Sequence, residues 1–492
     1  MPNGTGTTIK IRKNALNMAT WDPVLLWYAK AVAVMRKLPL TDSTSWIYQA
    51  AIHGFEPANP YWKLWAKNQT LPGQNEQGTF WRQCQHGSWF FLPWHRMYLG
   101  YFEKIVRKII IGLGGPADWA LPYWNYNEGK PSRKLPDAFT ESHLPPPDGS
   151  ANPLLELSRD SGNDSQPFLD ERRISLKPAF QEHQFAGGTH VGSQGFGGPI
   201  TVFHHSGGSH GALEGQPHDQ VHDMVGGVMG DPVTAGYDPI FWLHHANIDR
   251  LWEVWLKADP INQNPAPSSN WQKFAFKFND GLGNTPTLTP HDVLDSKMAP
   301  FYYQYDDVSQ PAGAMPPPVP MVAVGAVRPI IEGHMPEEPI PEMVGASSEA
   351  TPLATEAKTL NVRLFPLSGP LRKLGAAEGH FRKAYLHVEN IRGKGRPASY
   401  DVYLNVPEGA QQPAEQFYVG NIPMFGLEQA SVATERHPGN GLRFTFNVTE
   451  TVNFLKAENQ WNPEVLRVTF VPTRKPKEGA HLEVGRVSLY YT

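Results

Sequence analysis

The segment DPIFWLHHANIDRLWEVW, residues 238–255, sets two adjacent histidines in a run of aromatic and aliphatic residues with little polar relief. Ile248, Leu251, Trp252 and Trp255 recur at helical spacing and mark an inward surface, with His244 and His245 bordering it. A lone histidine on such a face is satisfied by one carbonyl, but several unpaired imidazoles in one interior are costly. The pattern repeats. HRMYLGYFEKIVRKIIIG (95–112) predicts a helix whose apolar face runs through His95, Leu99, Phe102, Val106 and Ile109, with Gly112 as its stop. STSWIYQAAIHG (43–54) puts Trp46 and Ala50 on the face of His53, with Gly54 as a C-cap. PHDQVHDMVGG (217–227) stacks His218 and His222 at i and i+4. Four helices thus turn histidine inward, and facing helices of a bundle are where metal sites are built.

The ligand types narrow the metal. A single cysteine, Cys84, rules out a thiolate cage, and HDQVH lacks the glutamate of the HExxH zinc-protease pattern. All-imidazole sites suit copper, zinc or iron. Counting candidates gives His53, His86 and His95 in one half, and His218, His222 and either His244 or His245 in the other. Three and three make two metals with open positions. Helical periodicity alone does not choose between His244 and His245.

The chain of 492 residues is too long for one ordinary core, so two domains are expected. Residues 1–307 mix helical patterns with irregular stretches. Residues 308–357 are dense in proline (MPPPVP, MPEEPIPEM) and predict a linker. In 358–492 the period becomes two: YDVYLNV (400–406) and LRFTFNV (442–448) alternate, as do TLNVRLF, KAYLHVEN, EVLRVTFV and VGRVSLYY. Six or seven short strands predict an antiparallel β-sandwich, giving an α+β two-domain protein with a mainly helical, four-helix-bundle metal core. The net charge of −4 with no basic run gives no case for nucleic acid. No apolar stretch reaches membrane-spanning length and the N-terminus lacks a signal-like core, so the expected location is cytoplasmic. Composition leaves room for a homo-oligomer.

The metal-site segments carry a resemblance. HGSWFFLPWHR (86–96) and DPIFWLHHANIDRLW (238–252) resemble the two copper signatures of tyrosinases and polyphenol oxidases, the type-3 copper family, and EGQPHDQVH (214–222) resembles the segment holding that family's first two copper-B ligands. The likeness runs from about Arg12 to Asp307. It implies two copper ions per chain, copper A on His53, His86 and His95 and copper B on His218, His222 and His245. The family pattern D-P-x-F-x-x-x-H-x-x-x-D begins at Asp238 and selects His245, with Asp249 one turn on; His244 then packs behind the ligands. Asp249 and Arg250 are expected to be buried structural residues.

Further roles follow from the same resemblance. Cys84 in CQH matches the fungal pattern in which sulfur forms a thioether to the histidine ring, here His86. Glu214 matches the acid that holds a water near copper B, and Asp219 occupies the position linked to hydroxylation, where Asn is more familiar. Met229 and Pro232 in GGVMGDP are expected on the pocket rim. YDVYLNVPEG and LRVTFVP resemble the C-terminal domain of plant and fungal polyphenol oxidases, which covers the site; Met424 and Phe425 of NIPMFG (421–426) are the candidate plug. The implied activity is that of a tyrosinase, with O2 and small phenols as partners: ortho-hydroxylation of monophenols and oxidation of o-diphenols to o-quinones. The alternatives are a catechol oxidase without monophenolase activity and a haemocyanin-like O2 carrier. A dizinc hydrolase would require carboxylate ligands that these motifs lack.

Overall fold

The computed structural model describes residues 8–81, 83–160, 169–187, 194–202, 208–311, 341–365, 383–395, 397–409, 412–434, 438–475 and 479–492. Five helices position the histidines: α1 (Pro23–Met35), α2 (Trp46–His53), α3 (Phe91–Gly112), α4 (Asp219–Val225) and α5 (Pro239–Ala258). Their starts are written locally. Asp22, Ser45 and Asp238 each accept a backbone N–H of the first turn, and Pro23 and Pro239 occupy the first helical positions of α1 and α5, where no N–H is needed. Pro93 is tolerated in α3 for the same reason, so that helix begins four residues before His95.

The packing departs from a simple four-helix bundle. The long α3 lies against α1 and α5, and α2 touches α1. The short α4 joins through the turn Glu214–His218 that precedes it, because Pro217 and the extended backbone of Gln216 (φ −154°, ψ 120°) forbid a longer helix. His86 sits on irregular chain ahead of α3, not on a helix. Among the described residues, no helix is long and apolar enough to cross a membrane.

The C-terminal half is β-rich. Its strands, with one lent by the helical half, are β1 (Gly208–Ser209), β2 (Glu342–Ala346), β3 (Thr351–Leu353), β4 (Lys358–Leu364), β5 (Ala384–Lys394), β6 (Tyr400–Leu404), β7 (Tyr418–Ile422), β8 (Leu442–Asn447), β9 (Val465–Pro472) and β10 (His481–Tyr491). A sandwich of two separate sheets is not what forms. The ladder is continuous, in the order β7-β6-β9-β4-β2-β10-β5-β8-β1 with β3 beside β10. The short β2 bridges β4 and β10, and the sheet curls until β7 comes against β8: a Cβ at Gly420 in β7 would lie 2.5 Å from the Phe446 ring in β8.

The expected linker 308–357 is also corrected. Residues 312–340 lie outside the described residues, but β2 and β3 fall inside the span read as linker, so the sheet begins near Glu342. Proline density hid them. Pro352 is tolerated because β3 pairs only with β10 and is an edge strand.

Each half has its own core. Phe425 is the exception: it lies in the loop after β7, yet packs in the core of the helical half. Ion pairs flank that docking, from Arg172 to Asp401 (3.2 Å) and Glu415 (3.3 Å), from Lys177 to Glu450 (2.9 Å), and from Arg474 to Asp160.

Candidate metal centre

Six of the expected ligands converge. His53, His86, His95, His218, His222 and His245 are each at most 2% exposed. His53 closes α2, His95 lies in the first turns of α3, His222 is inside α4 with His218 at its head, and His245 is two turns into α5. The first triad has ring centroids 5.1–5.7 Å apart. In the second, His245 Nε2 lies 3.3 Å from His218 Nε2 and 3.4 Å from His222 Nε2. The triads face each other, with the His95 and His245 rings stacked at 4.5 Å and 16°.

The outer ring nitrogens are held by oxygens. Nδ1 of His53 lies 2.7 Å from Pro232 O, that of His95 2.8 Å from Phe91 O, and that of His222 2.7 Å from Met229 O. A carbonyl only accepts, so these Nδ1 atoms carry the hydrogen and Nε2 keeps its lone pair. His218 Nδ1 meets Asp219 Oδ1 at 2.8 Å, with the same consequence. Lone pairs aimed at a common point repel unless a cation lies between them, so the donor set fits two metal ions held by three imidazoles each. Burial, then the neighbouring imidazoles, lowers the pKa of His95, His218, His222 and His245 well below 6.5, keeping the rings neutral as metal ligation requires.

His244 is set apart. It is fully buried, its ring stacks on His218 (5.3 Å, 22°), and burial pushes its pKa down to about 3. It is grouped with the second triad by proximity, but the close nitrogen contacts belong to His245.

Cys84 is fully buried, with Sγ 3.5 Å from His86 Nδ1 and 4.0 Å from His95 Nε2. Burial pushes its thiol pKa up. Glu214 accepts the Gly87 N–H on both carboxylate oxygens (2.8 and 3.0 Å), and burial raises it to about 8. Asp219 has both oxygens engaged: Oδ1 by His218 and Oδ2 by His210 Nδ1 at 2.6 Å. Met229 is buried, and its carbonyl holds His222. Pro232 borders a cavity of about 350 Å³ between the halves, which Asp160, Asp223, Asp231, Met424 and Arg474 also line.

Gly54 caps α2 as expected, its N–H donating to Ala50 O, and a second constraint also requires glycine there. Its backbone is extended (φ −164°), and a Cβ there would lie 2.5 Å from Val233 Cα. Only glycine lets the 232–233 chain come close enough for Pro232 O to reach His53.

Phe425 lies over the centre. Its ring stacks on His222 (4.0 Å, 20°) and stands edge-on to His86 (5.8 Å) and His218 (5.6 Å). Asp223 Oδ2 accepts the Met424 N–H at 2.5 Å, and Gly426 turns the chain back with φ 78°. Met424 stays on the interface, 8% exposed. Asp249 is buried among Arg96 (2.5 Å), Arg12 (3.3 Å) and the hydroxyls of Tyr303 and Tyr305 (2.6 Å each); Arg250 donates to Asp307 O at 2.6 Å. Sequence reasoning missed His210 and Asp223. His210 had a signal, standing four residues before Glu214 in SHGALEG.

The common central domain of tyrosinase matches residues 43–258, and a family described as a domain of unknown function matches 340–492. A tyrosinase from Hahella sp. is 36% identical over 488 residues, covering 98% of this chain and 99% of that protein. The latent form of a chloroplastic polyphenol oxidase from Prunus armeniaca is 29% identical over 318 residues, 62% of this chain and 50% of the relative. The structure of latent apple tyrosinase superposes with a TM-score of 0.60 at 23% identity, covering 98% of this chain and 97% of that one, a likeness of fold.

Proposed function

Because the chain belongs to the tyrosinase and polyphenol oxidase family of type-3 copper proteins, we propose that it is a tyrosinase that hydroxylates monophenols and oxidises o-diphenols to o-quinones. His53, His86 and His95 would hold copper A, and His218, His222 and His245 copper B. The observation that carries this reading is the pair of facing, buried imidazole triads, four of the six rings fixed through Nδ1. Bound there, two copper ions supply O2 activation and the redox change. The remaining work is the protein's. The buried walls exclude water, and Phe425 occupies the space over His222 where a flat phenol ring would stack. The C-terminal half therefore acts as a cover that keeps the full chain latent. Glu214, whose carboxyl pKa is raised by burial, lies against Gly87 next to His86 and is suited to hold a water that passes a proton to or from the phenol.

A Cys84–His86 thioether is part of the proposal, supported by the 3.5 Å approach of sulfur to the ring. Catechol oxidase is the second reading, and one observation favours it: both oxygens of Asp219 are taken by imidazoles, so Asp219 does not join Glu214 in holding a water.

The test is copper-loaded protein assayed with a monophenol and a catechol before and after cleavage within 312–340, with copper counted per chain. Two coppers and turnover of both substrates, raised by cleavage, are expected. Catechol turnover alone supports the second reading. Reversible O2 uptake with no turnover of either substrate would mark a carrier. Glu214→Gln should depress monophenol turnover more than catechol turnover; parallel losses with copper retained would assign Glu214 a positioning role.

A further inference from the structure

His210 belongs to the helical half, yet it touches both halves. Gly208 and Ser209, immediately before it, form β1 and pair in parallel with Leu442 and Arg443 of β8. The His210 ring stands edge-on to Phe444 of the same strand (6.2 Å, 68°). It is 4% exposed and reaches inward, placing Nδ1 2.6 Å from Asp219 Oδ2, while Asp219 Oδ1 lies 2.8 Å from His218 Nδ1. Asp219 itself is fully buried. The contacts thus run without a gap from the β-rich half, through two side chains, to a ring nitrogen of His218.

We propose that His210 is a positioning residue that couples docking of the C-terminal half to the orientation of His218. This rests on the reading of His218 as a copper ligand. A carboxylate behind a ligating imidazole fixes both its tautomer and its ring plane. Asp219 does this only if its carboxylate is held at one rotation, and His210 holds the far oxygen. When β8 leaves, β1 loses its partner and His210 loses the Phe444 ring. Asp219 is then released, and His218 with it. Opening the protein therefore both uncovers the centre and loosens one ligand of copper B.

The experiment uses full-length protein and copper alone as the probe. Copper retention under a chelator is compared for the wild type, His210→Ala, His210→Asn and Phe444→Leu. Nitrogen-15 histidine spectra of the copper-free proteins report which His218 nitrogen carries the hydrogen. His210→Ala should weaken retention of one copper by about 10–100-fold, the usual effect of losing such an outer partner, and mix the His218 tautomers. His210→Asn, whose amide still donates to Asp219, should restore most of both. Phe444→Leu removes the ring but keeps an apolar side chain there and should give the same change to a smaller degree; it decides the matter if His210→Ala does not fold. Retention and tautomer equal to wild type in the variants that fold would overturn the coupling while leaving the copper reading intact. A wild type that binds no copper would instead overturn the proposed function.

Discussion

Replacing Phe425 by alanine tests the cover most directly. The ring is 1% exposed and makes its aromatic contacts with His222, His86 and His218, all in the other half of the protein. Truncating a buried phenylalanine costs about 3–5 kcal/mol, and here that loss falls on docking and not on either core. Taking the lower end, about 3 kcal/mol lowers the docked-to-open ratio roughly 150-fold at 1.36 kcal/mol per factor of ten. A chain docked about 100:1 would become about 60% open, raising its rate on 4-tert-butylcatechol from about 1% to about 60% of the cleaved protein's. Intact and cleaved forms of wild type and Phe425→Ala are assayed with matched copper content. Phe425→Leu should fall between them. An intact Phe425→Ala protein with full copper and wild-type rate, while cleavage still activates both, would refute the idea that this ring closes the site.

Other substitutions address the centre and its support. His222→Ala should abolish oxidase activity and lower bound copper, whereas His244→Ala should keep copper; metal analysis showing the reverse would move the ligand to His244. Protein loaded with copper in air, O2 taking up the two hydrogens, and then stripped of metal should weigh two hydrogens less than its sequence and resist alkylation at Cys84; an alkylatable Cys84 in active enzyme excludes the thioether. Arg12→Ala strips one partner from the buried Glu103–Arg12–Asp249 network and should cost about 3–5 kcal/mol of stability in urea titrations; a change below about 1 kcal/mol would show that the network does not stabilise the fold. Finally, the copper-free protein should weaken in acid. Burial lowers the folded pKa of His95, His218, His222, His244 and His245 below 6.5, so the unfolded chain binds more protons as pH falls through 6.5. That stability is complete above pH 6.5 and declines below it. A urea midpoint unchanged between pH 8 and 5 would contradict the burial argument.

The helices were legible because their signals are local. Asp238-Pro239 announces the start of α5, and the 3.6-residue period sets the faces of α3 and α5. The alternating strands were legible for the same reason. What escaped depends on chain far away. β2 and β3 are too short and proline-rich to alternate, and they exist because β10 offers them an edge. The histidines could be gathered into two sets from sequence, but choosing His245 over His244 needed the family pattern, and the 3.3 Å approach to His218 supplies the geometric reason. The carbonyls of Met229 and Pro232 leave no mark in sequence, since any residue has one. His210 was missed because its role depends on a strand more than 200 positions later.

The two-residue strand Gly208–Ser209 changes what truncation means. Between two separate bodies, removing one leaves the other with a wet surface and little else. Here the halves share a backbone ladder, so a gene trimmed to the helical part would make a protein whose 208–209 segment has no template to set its register. Its amides would have to find water, and the residue after them would lose the frame that aims it. The β-rich half is thus a mould for part of the helical half as well as its lid. A chain matured with its cover and cut afterwards need not be the same molecule as one that never had it.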